Sequence, residues 1–269
     1  MLVDVWLVEL DKAANALESE EQRRPRLAID DLERIAKLNH ADLRRQRRLS
    51  TIALRTVIAA FTGSDRFAGV PFERLPGGKP ALPGATVSFS VSHAAGRALF
   101  GLSSKTKVGI DLEHEHTLRM SAARQQALVD AANALPVIYN LGLQQKLPNG
   151  YASVEIGSNP VLRSWVRLEA LAKLDGVGMG RLLTAAGIMG RRFEDLDDGS
   201  ERHPKPPPPE WPSSVMEPGI AIADLPVPAD DAGNPWYAAL AAPASFLQPH
   251  AIQVRALPVQ SRELASIAP

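Results

Sequence analysis

Cysteine is absent from the 269 residues. That excludes disulfides, thiolate nucleophiles and cysteine-ligated zinc, and it fits a reducing compartment. Net charge is absent as well: 30 lysines and arginines balance 30 aspartates and glutamates, so no overall field draws the chain to nucleic acid or acidic lipid. Long apolar runs are missing, since no window approaches the roughly 20 consecutive apolar residues that cross a bilayer. The opening MLVDVWLVEL carries Asp4 and Glu9 without a basic leader, so it reads as a strand rather than a signal peptide. The expectation is a soluble, cytoplasmic protein that uses neither nucleic acid nor membrane as partner and selects its partners by local patches. What remains is globular composition, 45% apolar and 22% charged, in a chain long enough for one large or two modest cores.

A charged stretch, ALESEEQRRPRLAIDDLERIAKL, follows the first strand. Leu43, Leu54, Val57, Ile58 and Phe61 then recur at helical spacing, which predicts a helix over residues 42–61 ending at Gly63. Its first turns carry Arg44, Arg45, Arg47 and Arg48, a run that a solvated helix face also explains. Beyond the loop RLPGGKPALPGA, Val87, Phe89 and Val91 alternate with Ser88, Ser90 and Ser92, the pattern of a half-buried strand. Residues 98–103 and 107–113 read as two strands of an antiparallel hairpin turning at 103–106. Helix formers fill 121–134, while 136–160 reads as irregular with weak strand signals at 151–156. A second strong helix begins near Pro160 and stops at Gly176. Prolines crowd residues 200–235, around ERHPKPPPPEWP, too densely for regular structure. PWYAALAAP and AIQVRALP read as two closing strands. A sheet with a helix in each half predicts an α+β protein of two similar lobes.

Chemistry concentrates in KVGIDLE and WVRLEALAK. Residues two apart on a strand point the same way, so Asp111 and Glu113 share one face while Ile110 and Leu112 face a core. Glu169, with Lys173 four residues on, supplies a third carboxylate from the second helix. An all-oxygen set of this kind, completed by waters and a substrate phosphate, suits Mg²⁺ in phosphate chemistry.

The order RLPGGKP, VSFSVSHA, VGIDLE, WVRLEALAKLDGVGMG resembles the 4′-phosphopantetheinyl transferase superfamily of the Sfp type, over most of the chain. The resemblance implies a pseudo-twofold pair of lobes, each an antiparallel sheet on a long helix. Residues 1–106 would contact the adenosine and 3′-phosphate of coenzyme A, and 107–269 would hold the metal, the catalytic helix and the carrier-protein surface. The implied activity moves the phosphopantetheine arm of coenzyme A onto a serine of an acyl or peptidyl carrier protein, in a monomer. Asp111, Glu113 and Glu169 match the family's magnesium ligands, and Lys173 matches the lysine on the coenzyme A pyrophosphate. Arg74 and Lys79 match residues gripping the 3′-phosphate and adenosine end, and Ser92 with His93 matches a pair holding that phosphate. Arg44 is the expected equivalent of a further phosphate-binding cation. As the serine attacks, Lys173 and the metal would neutralise the departing 3′,5′-ADP, with Glu169 or a water on it taking the proton.

The chain departs from the family at Leu168, where most members carry lysine, and Arg167 is the substitute at hand. Residues 118–160 lack the family's usual pattern, and Pro206–Pro209 have no assigned purpose. Simpler readings stand beside each motif: Glu169 and Lys173 as an exposed helix pair, His93 as an ordinary bonded histidine, Asp111 and Glu113 as a solvated strand face. His114 and His116 lack a third ligand for zinc. Gly176, Gly178 and Gly180 follow a helix rather than a strand, which argues against a dinucleotide loop. Two alternative functions remain open, a non-catalytic coenzyme A-binding homologue and a metal-dependent phosphohydrolase.

Overall fold

Alternation along two strands sorts side chains into separate cores and so stacks the molecule in layers. In β1 (Val3–Glu9), Trp6 and Val8 enter one core while Val3, Val5 and Leu7 enter another. In β9 (Trp236–Pro243), Trp236, Ala238 and Leu240 join that second core, and Tyr237, Ala239 and Ala241 face a third. The computed structural model describes residues 3–75, 77–84, 87–138, 157–189, 219–248 and 252–267.

The first core lies between a four-stranded sheet and the helices α1 (Leu10–Arg23) and α3 (Ala41–Thr62). That sheet has the order β10, β1, β5, β4, where β4 is Ser88–Ala94, β5 is Arg97–Ser103 and β10 is Ile252–Ala256. The second core is shared between this sheet and another, ordered β6, β9, β8, β7, with β6 at Gly109–His114, β7 at Val137–Ile138 and β8 at Ile220–Asp224. The third core packs α4 (Ala122–Asn133), α5 (Pro160–Asp175) and α6 (Met179–Ala185) on the outer face of the second sheet. Shorter elements are α2 (Ile29–Ala36), α7 (Ser261–Ile267), a 3₁₀ turn at Ala244–Phe246 and a ribbon of β2 (Glu73–Arg74) with β3 (Pro80–Ala81). The protein is therefore α+β, and no helix among the described residues is long and apolar enough to cross a membrane.

Two helices follow their sequence signals closely. α3 ends at Gly63 and α5 at Gly176, both in the left-handed conformation that glycine adopts without a Cβ penalty. Asn159 caps α5, its side-chain oxygen accepting from the amides of Val161 and Leu162, with Pro160 in the first turn.

Other expectations are corrected. The strands at 98–103 and 107–113 are not paired as a hairpin: β5 pairs with β4 and β1, and β6 crosses to the second sheet to pair with β9. β8, inside the proline-rich 200–235, is a regular strand, because the apolar IAIAD between Gly219 and Leu225 is held by β9 and β7 on its two sides. The charged stretch after β1 carries the second half of α1 and all of α2. Its charge misleads because Glu20 and Glu21 are buried, Arg26 donating through Nη1 to Glu20 at 3.0 Å and through its amide to Glu21. β10 lies within 107–269 yet runs parallel to β1 in the first sheet, so the sequence division at 106 does not follow the sheets. The weak strand signals at 151–156 and the prolines at 206–209 lie outside the described residues.

Candidate functional site

The serines of β4 build one wall of the site. Ser88 and Ser90 accept the amides of Val108 and Ile110 at 3.3 and 3.1 Å, so the polar face of β4 covers the edge of β6 that β9 leaves open. Ser92, next in the same row, instead donates to Asp111 Oδ1 at 2.7 Å. The serine face is thus a seam between the sheets, and Ser90 and Ser92 are buried in it.

β6 and α5 bring the three acids together. Ile110 and Leu112 point into the core between the sheets, and Asp111 points the other way, toward α5. One ligand oxygen from each of Asp111, Glu113 and Glu169 can be chosen so that all lie within 4.8 Å of one another. Lys173 donates to Asp111 Oδ1 at 2.6 Å, lies 3.3 Å from Glu169, and also donates to Ser92 Oγ at 3.1 Å. Three carboxylates therefore face one ammonium.

The imbalance registers in their protonation. Burial, then the charges of Asp111 and Glu169, pushes the Glu113 carboxyl up to about 7. Glu169 is likewise raised, by burial first and Asp111 second. Burial alone would lower Lys173, yet the pull of Asp111 and Glu169 leaves it above its ordinary value.

This donor set fits a hard divalent cation. Asp111 is 1% exposed, its Oδ1 takes both donated bonds, and its Oδ2 is enclosed without a hydrogen-bond partner. A buried carboxylate oxygen left unpaired is costly, and a cation among the three acids would satisfy it.

The acids stand in a cleft of about 670 Å³ that basic side chains also line. Arg47 from α3, Arg34 from α2, Arg74 and His93 all line it. Partial enclosure, with Arg74 and Arg34 nearby, lowers the Arg47 pKa, and among the described residues no carboxylate pairs with that guanidinium. Enclosure and then Arg47 hold the His93 imidazole below its usual value, although the ring opens to solvent. Arg34 is paired with Asp31, which lines the same cleft, at 2.7 Å, whereas Arg47 and Arg74 have no carboxylate partner among the described residues and can meet an anion.

Most expected residues thus share one cleft: Asp111, Glu113, Glu169, Lys173, Ser92, His93 and Arg74. Two do not line it. Arg44, in the first turn of α3, folds back to donate to the carbonyls of Leu38 and Asn39 at 2.7 and 3.2 Å. Lys79 donates to the carbonyls of Val108 and Leu174, both at 2.8 Å, which joins the PGGKP loop to β6 and to the end of α5. Nor does Arg167 replace the lysine missing at Leu168. It is buried on Asp224, donating at 2.8 and 2.6 Å, while Leu168 is fully enclosed in the third core.

Arg47 and Arg34 line the cleft without being among the expected site residues. Arg47 belongs to a stripe with Thr51 and Leu54, spaced four and three residues apart, and that spacing was available to find it. Arg34 had no signal, because α2 was unassigned. Compared with known protein families and with curated proteins, the sequence matches none at a significant level.

Proposed function

We propose that the protein transfers the 4′-phosphopantetheine arm of coenzyme A to a serine of an apo acyl or peptidyl carrier protein, releasing 3′,5′-ADP. The observation that carries this reading is the pairing, in one cleft, of a three-carboxylate centre beside Lys173 with Arg47 and Arg74, guanidiniums that no carboxylate pairs among the described residues. Coenzyme A offers two matching anions, a pyrophosphate and a 3′-phosphate. Two four-stranded sheets with helices on their outer faces also support the two-lobed arrangement of the family that the motifs resemble.

Asp111, Glu113 and Glu169 would hold Mg²⁺, which when bound supplies positive charge beside the pyrophosphate. Lys173 meets the charge that develops on the departing 3′,5′-ADP. The acceptor serine oxygen bonds to the β-phosphorus as the bond from that phosphorus to the leaving nucleotide breaks. Its proton passes to Glu169, directly or through a water. Arg47, Arg34 and Arg74 fix the other end of the donor through its 3′-phosphate.

The test incubates the protein with coenzyme A, Mg²⁺ and a panel of apo carrier proteins, and reads intact mass. A carrier heavier by one phosphopantetheine group supports the reading. Coenzyme A binding without a mass gain on any carrier overturns it in favour of a binding protein. Release of 3′,5′-ADP at a rate indifferent to carrier overturns it in favour of a phosphohydrolase.

A further inference from the structure

We infer that Ser92 is a positioning residue for the cation site: its hydroxyl locks the Asp111 carboxylate so that Oδ2 is the oxygen presented to the ion. This inference rests on the metal centre proposed above, and it gives Ser92 a different task from the phosphate contact that the motif resemblance implies.

The geometry separates the two oxygens of Asp111. Oδ1 accepts from Ser92 Oγ at 2.7 Å and from Lys173 Nζ at 2.6 Å, whereas Oδ2 is enclosed and has no partner. With both donors on one oxygen, the carboxylate plane is fixed and the other oxygen is left to a ligand outside the hydrogen-bond network. Ligating carboxylates are commonly held in this way by a partner on their second oxygen.

The two donors are not equivalent. Lys173 is a flexible cation that also reaches Glu169 at 3.3 Å, and the proposed reaction calls on it to meet an incoming phosphate. Ser92 is uncharged, 7% exposed and pinned in the backbone register of β4, opposite Leu99 of β5. When Lys173 turns to substrate, Ser92 is the donor that stays. Its row confirms the direction of the side chain, because Ser88 and Ser90 on the same face also reach β6. Ser92 differs from them in bonding a side chain there rather than the backbone.

The experiment uses the full chain and Mn²⁺, an oxygen-seeking paramagnetic stand-in for Mg²⁺. Free and bound Mn²⁺ are counted by electron paramagnetic resonance, and 3′,5′-ADP affinity is measured separately in chelator. Ser92→Ala is expected to weaken Mn²⁺ binding by about 10- to 100-fold, the usual effect of removing a partner that orients a ligand. The same variant should leave metal-free 3′,5′-ADP affinity unchanged, and Ser92→Thr, which restores the hydroxyl, should recover Mn²⁺ affinity. Should the alanine variant not fold, Ser92→Cys, close in size but a weak donor, takes its place with the same expected loss. Unaltered Mn²⁺ affinity in a folded Ser92→Ala or Ser92→Cys protein, or a loss confined to 3′,5′-ADP binding, overturns the inference while leaving the metal centre standing. Failure of the wild-type protein to bind Mn²⁺ removes the metal centre, and the inference with it.

Discussion

Gly109 on β6 lies directly against Ala170 on α5: a Cβ at Gly109 would stand 2.0 Å from the Ala170 carbonyl oxygen and 2.4 Å from the Leu174 amide. The strand bearing Asp111 and Glu113 and the helix bearing Glu169 and Lys173 therefore touch backbone to backbone. Only glycine permits that approach, and it sets the separation of the acids.

Gly109→Ala should accordingly push β6 away from α5. The expected result is a loss of about 1–3 kcal/mol in stability, the usual cost of overpacking, together with a marked loss of Mn²⁺ affinity. Urea unfolding and a metal titration check both, and a variant with native affinity would show that the close approach does not govern the site.

Crowded carboxylates make a pH prediction with a definite sign. The Glu113 carboxyl lies at about 7 in the folded protein against an ordinary value of 4.5, so between those values the folded state binds the extra proton. That stability is present in full below about pH 4.5 and is lost as pH rises through about 7. In chelator, the wild-type Tm should fall relative to that of Glu113→Gln between pH 5 and pH 8. Mg²⁺ should raise the wild-type Tm more at pH 8 than at pH 5, because it competes with that proton. Parallel Tm curves for the two proteins would refute this.

Arg47 and Arg44 separate the cleft from its surroundings. Arg47→Ala should weaken 3′,5′-ADP binding by about tenfold or more, the loss expected for a hydrogen bond between charged groups, with much less effect on 5′-ADP. Arg44→Ala should leave both affinities near wild type, since its guanidinium serves the Leu38 and Asn39 carbonyls. Calorimetry with the two nucleotides decides between them.

Asp224 carries a structural load two strands across from Asp111, the two residues flanking Ala239 of β9. Burial would raise its carboxyl, but bonds from Arg167 and Arg163 outweigh that and hold it below the ordinary range. Asp224→Ala should cost about 3–5 kcal/mol, because it strips a buried acid from two guanidiniums. Denaturant unfolding measures the loss, and a change under about 1 kcal/mol would contradict it.

Legibility in the sequence tracked the range of the interaction involved. The ends of α3 and α5 were readable because Gly63, Asn159 and Gly176 act within a single turn. The shared face of Asp111 and Glu113 was readable because a strand repeats every two residues. The partner of β6 was not: 103–106 announces a turn, but nothing local tells that Glu113 will sit opposite Tyr237. The serines of β4 looked like a solvated face for the same reason, since the edge they cover belongs to another sheet. Among the crowded arginines of α3, place along the helix decided the outcome. Arg44, in the first turn, reaches back over the preceding loop, and Arg47, nearly one turn further, reaches the cleft.

The parallel pairing of Val3 with Ile252, and of β1 with β10 throughout, has a consequence for biogenesis. While the chain emerges from the ribosome, β1 can join β5 early but keeps one flank bare until β10 arrives. A naked strand flank invites pairing with other nascent chains. Polypeptides interrupted before β10 should therefore clump where the finished protein does not, so the closing strand guards the opening one.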